Sequence, residues 1–255
     1  MKRVMLTVSY DGTNYHGWQL QPNVMTIESV LNDTLCALLK EEIRVIGASR
    51  TDTGVHALGN IAVFDTQARM PAEKISYALN QRLPEDIRIQ SSKEVPQDFH
   101  PRRQSSRKTY EYKILNSEFP MPVYRLYSHF TYVPLDIVLM QEAADHLKGE
   151  HDFKSFCSVN TMAETTVRTI YDITVEKVED LITIRVTGSG FLYNMVRIIA
   201  GTLIEAGKGN LVPDKIADIL KACDRTKAGP TAPACGLTLV KYEFEGENVS
   251  GDLMG

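Results

Sequence analysis

The sequence predicts an α+β chain of two ferredoxin-like split βαβ units side by side, with mainly antiparallel sheets and helices on one face. Three observations carry this. Residues 4–95 read as β-α-β-β-α-β. The second half repeats that order with additions. A polar, arginine-rich connector at residues 99–106 separates them. The expected boundaries are 1–105 and 106–245, followed by a disordered Gly-rich, acidic tail at 246–255. The halves share a pattern, not sequence identity.

Val4–Tyr10 is an apolar run of strand length. Thr26 caps a helix whose Ile27, Val30, Leu31, Leu35, Leu38 and Leu39 fall on one face. Strands are expected at Ile43–Ser49 and Asn60–Asp65. Pro71 opens a second helix carrying Ile75, Ala78 and Leu79, and Ile87–Val95 completes the unit. In the second half, Lys108–Leu115 alternates as a strand. Asp136–Lys148 reads as a helix. Ile170–Val178 and Leu181–Thr187 form a hairpin across Glu179-Asp180. Helices follow at Phe191–Ala206 and Pro213–Cys223, and Leu237–Phe244 closes the sheet. Residues 116–127, with Pro120 and Pro122, read as a loop, and residues 158–166 as a polar, mobile segment.

The 255 residues are 43% hydrophobic, ample for a buried core. A net charge of −4 does not advertise a nucleic-acid binder, so an RNA partner requires local clustering of cations. With no signal h-region and no long apolar stretch, the expected location is cytoplasmic. Cys36, Cys157, Cys223 and Cys235 are scattered and expected to be reduced. No histidine pair has zinc spacing, so neither a metal nor a cofactor is expected. Gly201 to Gly207-Lys208 has the wrong gap for a P-loop. Gly188-Ser189-Gly190 lacks the third glycine of a dinucleotide site, and no GxSxG elbow occurs.

The segment from Gly47 to Ala57 packs Arg50, Asp52, hydroxyls and His56 between two apolar strands. A carboxylate at strand ends beside an arginine suits a nucleophile or base. The spacing fits equally an aspartate that caps a turn, with Gly54 supplying a positive φ. His56 reads as a residue that holds the turn rather than as a general base. Arg102, Arg103, Arg107 and Lys108 form the densest basic cluster and are possible RNA contacts. Tyr15, His16 and Trp18 are aromatic candidates for a nucleic acid, although Trp18 could equally plug the core. Tyr110 has a ring able to stack on a flipped base and equally suits an ordinary strand position. The backbone N–H groups of Gly188–Phe191 are read as opening a helix able to bind phosphate.

The segment Arg50-Thr51-Asp52-Thr53-Gly54-Val55-His56-Ala57 resembles the active-site motif of the bacterial tRNA pseudouridine synthase A family. The stretches from Tyr10 to Gln19, Asp98 to Arg102 and Lys108 to Tyr112 match in order. So do Asp152 to Phe156, Gly188 to Arg197 and Ala232 to Leu237, so the resemblance spans nearly the whole chain. It implies the pseudouridine synthase fold and an isomerase that acts on uridines at positions 38 to 40 of the tRNA anticodon stem-loop. It further implies Asp52 as nucleophile, Arg197 opposite it, Tyr110 in the pocket and Arg50 helping to evict the target base. A homodimer that binds tRNA across both subunits is also implied. Thr53 and Asn60 stand where alanine and glutamine are expected, a difference that bears on loop packing. The alternative reading is a non-catalytic RNA-binding module. Such a module has no need of Asp52, since a carboxylate facing phosphates weakens affinity. A carboxylate-pair hydrolase lacks a second acid.

Overall fold

The computed structural model describes residues 1–159 and 163–245. The tail after Glu245 and positions 160–162 of the polar segment lie outside the described residues. The chain forms two compact units. One is Met1–Ser105 together with the chain from Leu239 onward; the other is Ser106–Thr238.

The first unit runs β1 (Lys2–Tyr10), α1 (Ile27–Leu39), β2 (Ile46–Gly47), β3 (His56–Thr66), α2 (Ala72–Asn80) and β4 (Ile87–Val95). Its strands lie in the order β4-β1-β3-β2, all antiparallel, the arrangement a split βαβ unit requires. β1 is central, and its Val4, Leu6 and Val8 are fully buried. Thr26 caps α1 reciprocally. Its Oγ accepts from the Ser29 N–H at 3.2 Å, and its N–H donates to Ser29 Oγ at 3.0 Å. Met5, Ala48, Ile61, Val63, Phe99 and Phe244 form one core cluster, with Phe99 edge-on to Phe244 at 5.2 Å.

β2 is shorter than the apolar run Ile43–Ser49 predicts. Ile43 and Val45 are buried, yet their backbone is tied to α1 instead of a neighbouring strand. The Ile43 N–H donates to Cys36 Sγ at 3.2 Å and the Val45 N–H to Asn32 Oδ1 at 2.8 Å. Apolar character therefore reported burial correctly and strand pairing wrongly.

The second unit contains β5 (Ser106–Asn116), β6 (His129–Thr131), α3 (Ile137–Asp145), β7 (Gly149–Asp152), β8 (Val167–Val178), β9 (Leu181–Gly188), α4 (Met195–Gly207) and α5 (Lys215–Ala222). The order β5-β9-β8-β7 is antiparallel, and β6 runs parallel beside β5. Glu179 takes φ +52° in the expected β8–β9 hairpin turn. Asp136 caps α3 by accepting from the Val138 and Leu139 N–H groups. β6 and β7 were not expected, being too short and too polar to carry an alternating signal. The chain then enters β10 (Leu237–Phe244), which lies beside β3.

The helix expected from Phe191 begins only at Met195. Asn194 sits at φ +60°, off the helical path, and the Ser189 N–H donates to Thr169 O at 3.0 Å. The Ser189 amide is therefore spent on β8, and the helix terminus read at Gly188–Phe191 lies instead at Asn194. Among the described residues the four cysteines are free thiols, and no helix is long and apolar enough to cross a membrane.

Candidate active site

Asp52 lies in the connection from β2 to β3. The Val55 N–H donates to Asp52 O at 3.1 Å, and Gly54 takes φ +77°, closing a turn. Asp52 is half-buried between buried Thr51 and Val55, whereas Thr53 is exposed. So the turn that spacing suggests is real, and it carries the carboxylate at its edge.

The segment after β1 forms the backing of this loop. The Trp18 N–H donates to Thr51 O at 3.0 Å, and the Gly54 N–H donates to Tyr15 O at 3.3 Å. Gly17 takes φ +79°, and a Cβ there would lie 2.5 Å from Thr51 O. Only glycine satisfies both the dihedral and the close approach. Trp18 is fully buried with its ring against Gly47, where a Cβ would lie 2.2 Å from Nε1. Tyr15 is also buried, and its hydroxyl donates to Asp86 Oδ1 at 2.6 Å. Of the three aromatic candidates for nucleic acid, Tyr15 and Trp18 are thus core residues and His16 alone is exposed. Their apolar area is worth more in the core than on a loop surface.

Under the loop runs a buried polar chain. Asn60, with no exposed surface, grips the Ser49 backbone from both sides. Its Nδ2 donates to Ser49 O at 3.0 Å, and its Oδ1 accepts from the Ser49 N–H at 3.3 Å. Nδ2 also donates to the Tyr10 hydroxyl at 3.3 Å, which lies 2.8 Å from Thr51 Oγ1. Burial raises the Tyr10 pKa far above that of a free phenol, so the group stays neutral and can serve as donor and acceptor. His56 holds the turn as expected. Its Nδ1 accepts from the Gly12 N–H at 3.1 Å and lies 3.1 Å from Asp11 Oδ1.

Arg50 is exposed beside Asp52. Arg102 Nε donates to Gly47 O at 2.7 Å, which ties the start of the basic cluster to the base of the loop. Desolvation, and then the Arg50 charge, lower the Arg102 pKa. The other cations are placed differently. Arg103 is exposed, Lys108 half-buried, and the Arg107 guanidinium lies 4.7 Å from the centre of the Tyr171 ring. The cluster that looks uniform in sequence therefore divides into four differently placed cations: Arg102 anchored, Arg103 solvated, Arg107 stacked and Lys108 half-buried.

Tyr110 and Arg197 belong to the second unit. Tyr110 on β5 is 7% exposed and meets Phe191 edge-on at 5.2 Å. Tyr112, on the same face, is fully buried, and its hydroxyl donates to Pro233 O at 2.9 Å. It is a packing residue. Arg197 lies in the first turn of α4. Its Nε donates to Ala232 O and its Nη1 to Asn194 Oδ1, both at 2.8 Å. Asn194 Nδ2 in turn donates to Ser158 Oγ at 2.8 Å. A planar guanidinium held by two of its nitrogens is fixed in orientation.

The supporting residues were the ones sequence reasoning missed. Asn60 reads as a strand start that departs from an expected glutamine, and Tyr10 as a strand end that opens a matched stretch, neither with a role in holding the loop. Asn194 was read as an interior helix residue. The available signals were Gly17, a glycine beside an aromatic after a strand, and the polar Asn60 within an apolar run.

Residues 6–102 and 143–245 match a family model described as tRNA pseudouridine synthase. A tRNA pseudouridine synthase A of Thermoanaerobacter sp. (strain X514) is 51% identical over 244 residues, covering 96% of this chain and 100% of the relative. That of Ruminiclostridium cellulolyticum is 49% identical over 96% of this chain and 100% of its own. That of Brevibacillus brevis is 45% identical over 94% and 98%.

Proposed function

Since the chain belongs to the tRNA pseudouridine synthase family, an isomerase class, we propose that it converts uridines of the tRNA anticodon stem-loop, positions 38 to 40, with Asp52 as nucleophile. The observation that carries this reading is the Asp52 turn itself. A half-exposed carboxylate is held at the edge of a loop whose backbone is fastened on three sides. Such fixation supplies the orientation that nucleophilic catalysis needs.

The chemistry balances without a co-reactant. The bond from N1 of uracil to C1′ of the ribose breaks, and a bond from C5 to C1′ forms. The C5 proton is lost, and N1 takes one up. Asp52 forms a transient bond to the nucleotide and is released as the C5–C1′ bond is completed. No electrons change hands, so the step needs neither an oxidant nor a reductant.

Arg50, Tyr110 and Arg197 are assigned to substrate binding. Tyr110 has the ring to stack on a flipped uracil, and Arg197 has a held guanidinium. Arg50, exposed beside Asp52, can fill the gap left by the evicted base. Arg102, Arg103, Arg107 and Lys108 are assigned to tRNA phosphates. A cytoplasmic homodimer completes the reading. With a net charge of −4, a basic cleft must come from local arrangement, and a second copy supplies more cations to it.

Tritium release from tRNA labelled at uridine C5, with no metal added, tests the proposal. Wild type should release tritium and Asp52→Asn should not, while both bind tRNA equally. Release by Asp52→Asn at the wild-type rate would remove Asp52 from the chemistry.

A further inference from the structure

The buried chain beneath the Asp52 loop has no part in the scheme above, and its geometry gives it one. Asn60 lies on β3 and Tyr10 at the end of β1, both inside the sheet of the first unit. Asn60 reaches the loop by two routes. The first is direct, through both backbone polar groups of Ser49. The second passes through the Tyr10 hydroxyl to Thr51 Oγ1. Thr51 is bonded through its backbone as well, its carbonyl accepting from the Trp18 N–H. The residue immediately before Asp52 is thereby fixed at its carbonyl and at its side chain.

We infer that Asn60, Tyr10 and Thr51 form a positioning relay that sets the backbone at Asp52 for reaction. The inference rests on Asp52 being the nucleophile. Three features favour positioning over plain stability. Every member is buried, so each hydrogen bond is shielded from competing water. The Asn60 amide is used on both its faces, and Oδ1 also accepts from the Ile61 N–H at 2.9 Å, so it cannot rotate without losing bonds at both ends. The relay also ends at the loop. From Asn60 Nδ2 through Tyr10 to Thr51, it runs from the sheet to the nucleophile's neighbour. Nucleophile displacements of about 1 Å cost on the order of a hundredfold in rate, so even a small relaxation of the loop should be visible.

The experiment compares Tyr10→Phe, Thr51→Val, Thr51→Ser and Asn60→Ala with wild type and Asp52→Asn. It reads tRNA affinity, thermal midpoint, KM and single-turnover tritium release. Tyr10→Phe keeps the ring against Trp18, 5.9 Å between centroids, and removes only the hydroxyl. Thr51→Val keeps the shape, and Thr51→Ser restores the hydroxyl. The inference expects Tyr10→Phe and Thr51→Val to lower the single-turnover rate between about tenfold and a hundredfold, with KM and tRNA affinity unchanged. Thr51→Ser should recover most of that rate. A wild-type rate in both Tyr10→Phe and Thr51→Val, with Asp52→Asn inactive, overturns the relay and leaves the nucleophile standing. An active Asp52→Asn overturns both. Because Tyr10→Phe and Thr51→Val carry the test, loss of folding in Asn60→Ala does not blunt it.

Discussion

In the first unit, Asp52 sits on a loop fastened from elsewhere in the unit: Thr51 to Trp18, Gly54 to Tyr15, Ser49 to Asn60. In the second, Arg197 sits on a helix, and its guanidinium is held by Asn194 in the preceding turn and by the Ala232 carbonyl. Backbone bonds fix the loop that carries the carboxylate, so the placement of that loop depends on glycines and on residues far along the chain. Side-chain bonds fix the cation, so its placement can be loosened one bond at a time while α4 stays intact. The first arrangement should fail abruptly under substitution and the second by degrees.

The sharpest test of that contrast is at Asp52, the proposed nucleophile. Asp52→Ala should lower turnover by at least about a thousandfold, since removal of a nucleophile costs on that order or more, while tRNA affinity holds. Single-turnover tritium release and filter binding on the same preparation separate the two. Equal loss of affinity and turnover would make Asp52 a binding residue and erase the distinction from Arg197. Next comes Gly17→Ala, far from the chemistry by sequence. It forces an L-residue into φ +79° against Thr51 O, and the left-handed conformation alone costs about 1–2 kcal/mol. A lower thermal midpoint and a rate loss near that of Asp52→Ala are expected. A stable, active Gly17→Ala would show that the loop is not held from behind.

The gradual side is tested at Asn194. This residue occupies the left-handed region at φ +60°, so Asn194→Gly relieves the backbone and removes only the amide. Stability should hold or rise slightly. The loss of the bond to Arg197 Nη1 should lower kcat/KM about threefold to tenfold, in keeping with a charge-assisted hydrogen bond partly replaced by water. Steady-state kinetics and a melting curve check both halves. No change in kcat/KM would mean that the Asn194 bond does not orient the guanidinium.

The two regions also differ in how far they could be read without coordinates. The order of strands and helices was legible, because the periodicities of β1, α1 and α2 reflect faces that are in fact buried. Thr26 as a cap and Glu179-Asp180 as a turn follow from local chemistry that tertiary contacts did not override. The loop holding Asp52 was legible as a loop, but its fastening was not. A bond from Asn60 to Ser49, or from Tyr10 to Thr51, depends on β3 pairing in register with β2 and with β1, which no local pattern specifies. For the same reason Tyr15 reads as a nucleic-acid candidate, and Trp18 stays open between surface and core until Gly47 supplies the space for the indole. Asn194 interrupts what looks like continuous helix, because a single residue at positive φ leaves hydrophobic spacing untouched.

The smallest effects are expected in the basic connector, where the loop's rigid fastening meets ordinary surface electrostatics. Arg102 and Arg103 are both exposed, and Arg102 also donates Nε to Gly47 O. If both contact phosphate, replacing either with glutamine should weaken tRNA binding only a few-fold at moderate salt. Each should also shift the slope of log affinity against log salt by about 0.7–0.9, the release of one phosphate's counterion. The two should part company in kcat. Arg103→Gln changes affinity alone. Arg102→Gln also loosens the carbonyl at the foot of the Asp52 loop, and so should lower kcat by a further factor of about two to three, the net worth of one partly solvated hydrogen bond. Titration of tRNA binding across a salt series, with turnover measured at saturating tRNA, resolves the pair. Identical kcat in both variants would confine Arg102 to the RNA surface. An unchanged salt slope in both would remove the connector from the RNA site and leave Arg102 with its structural bond only.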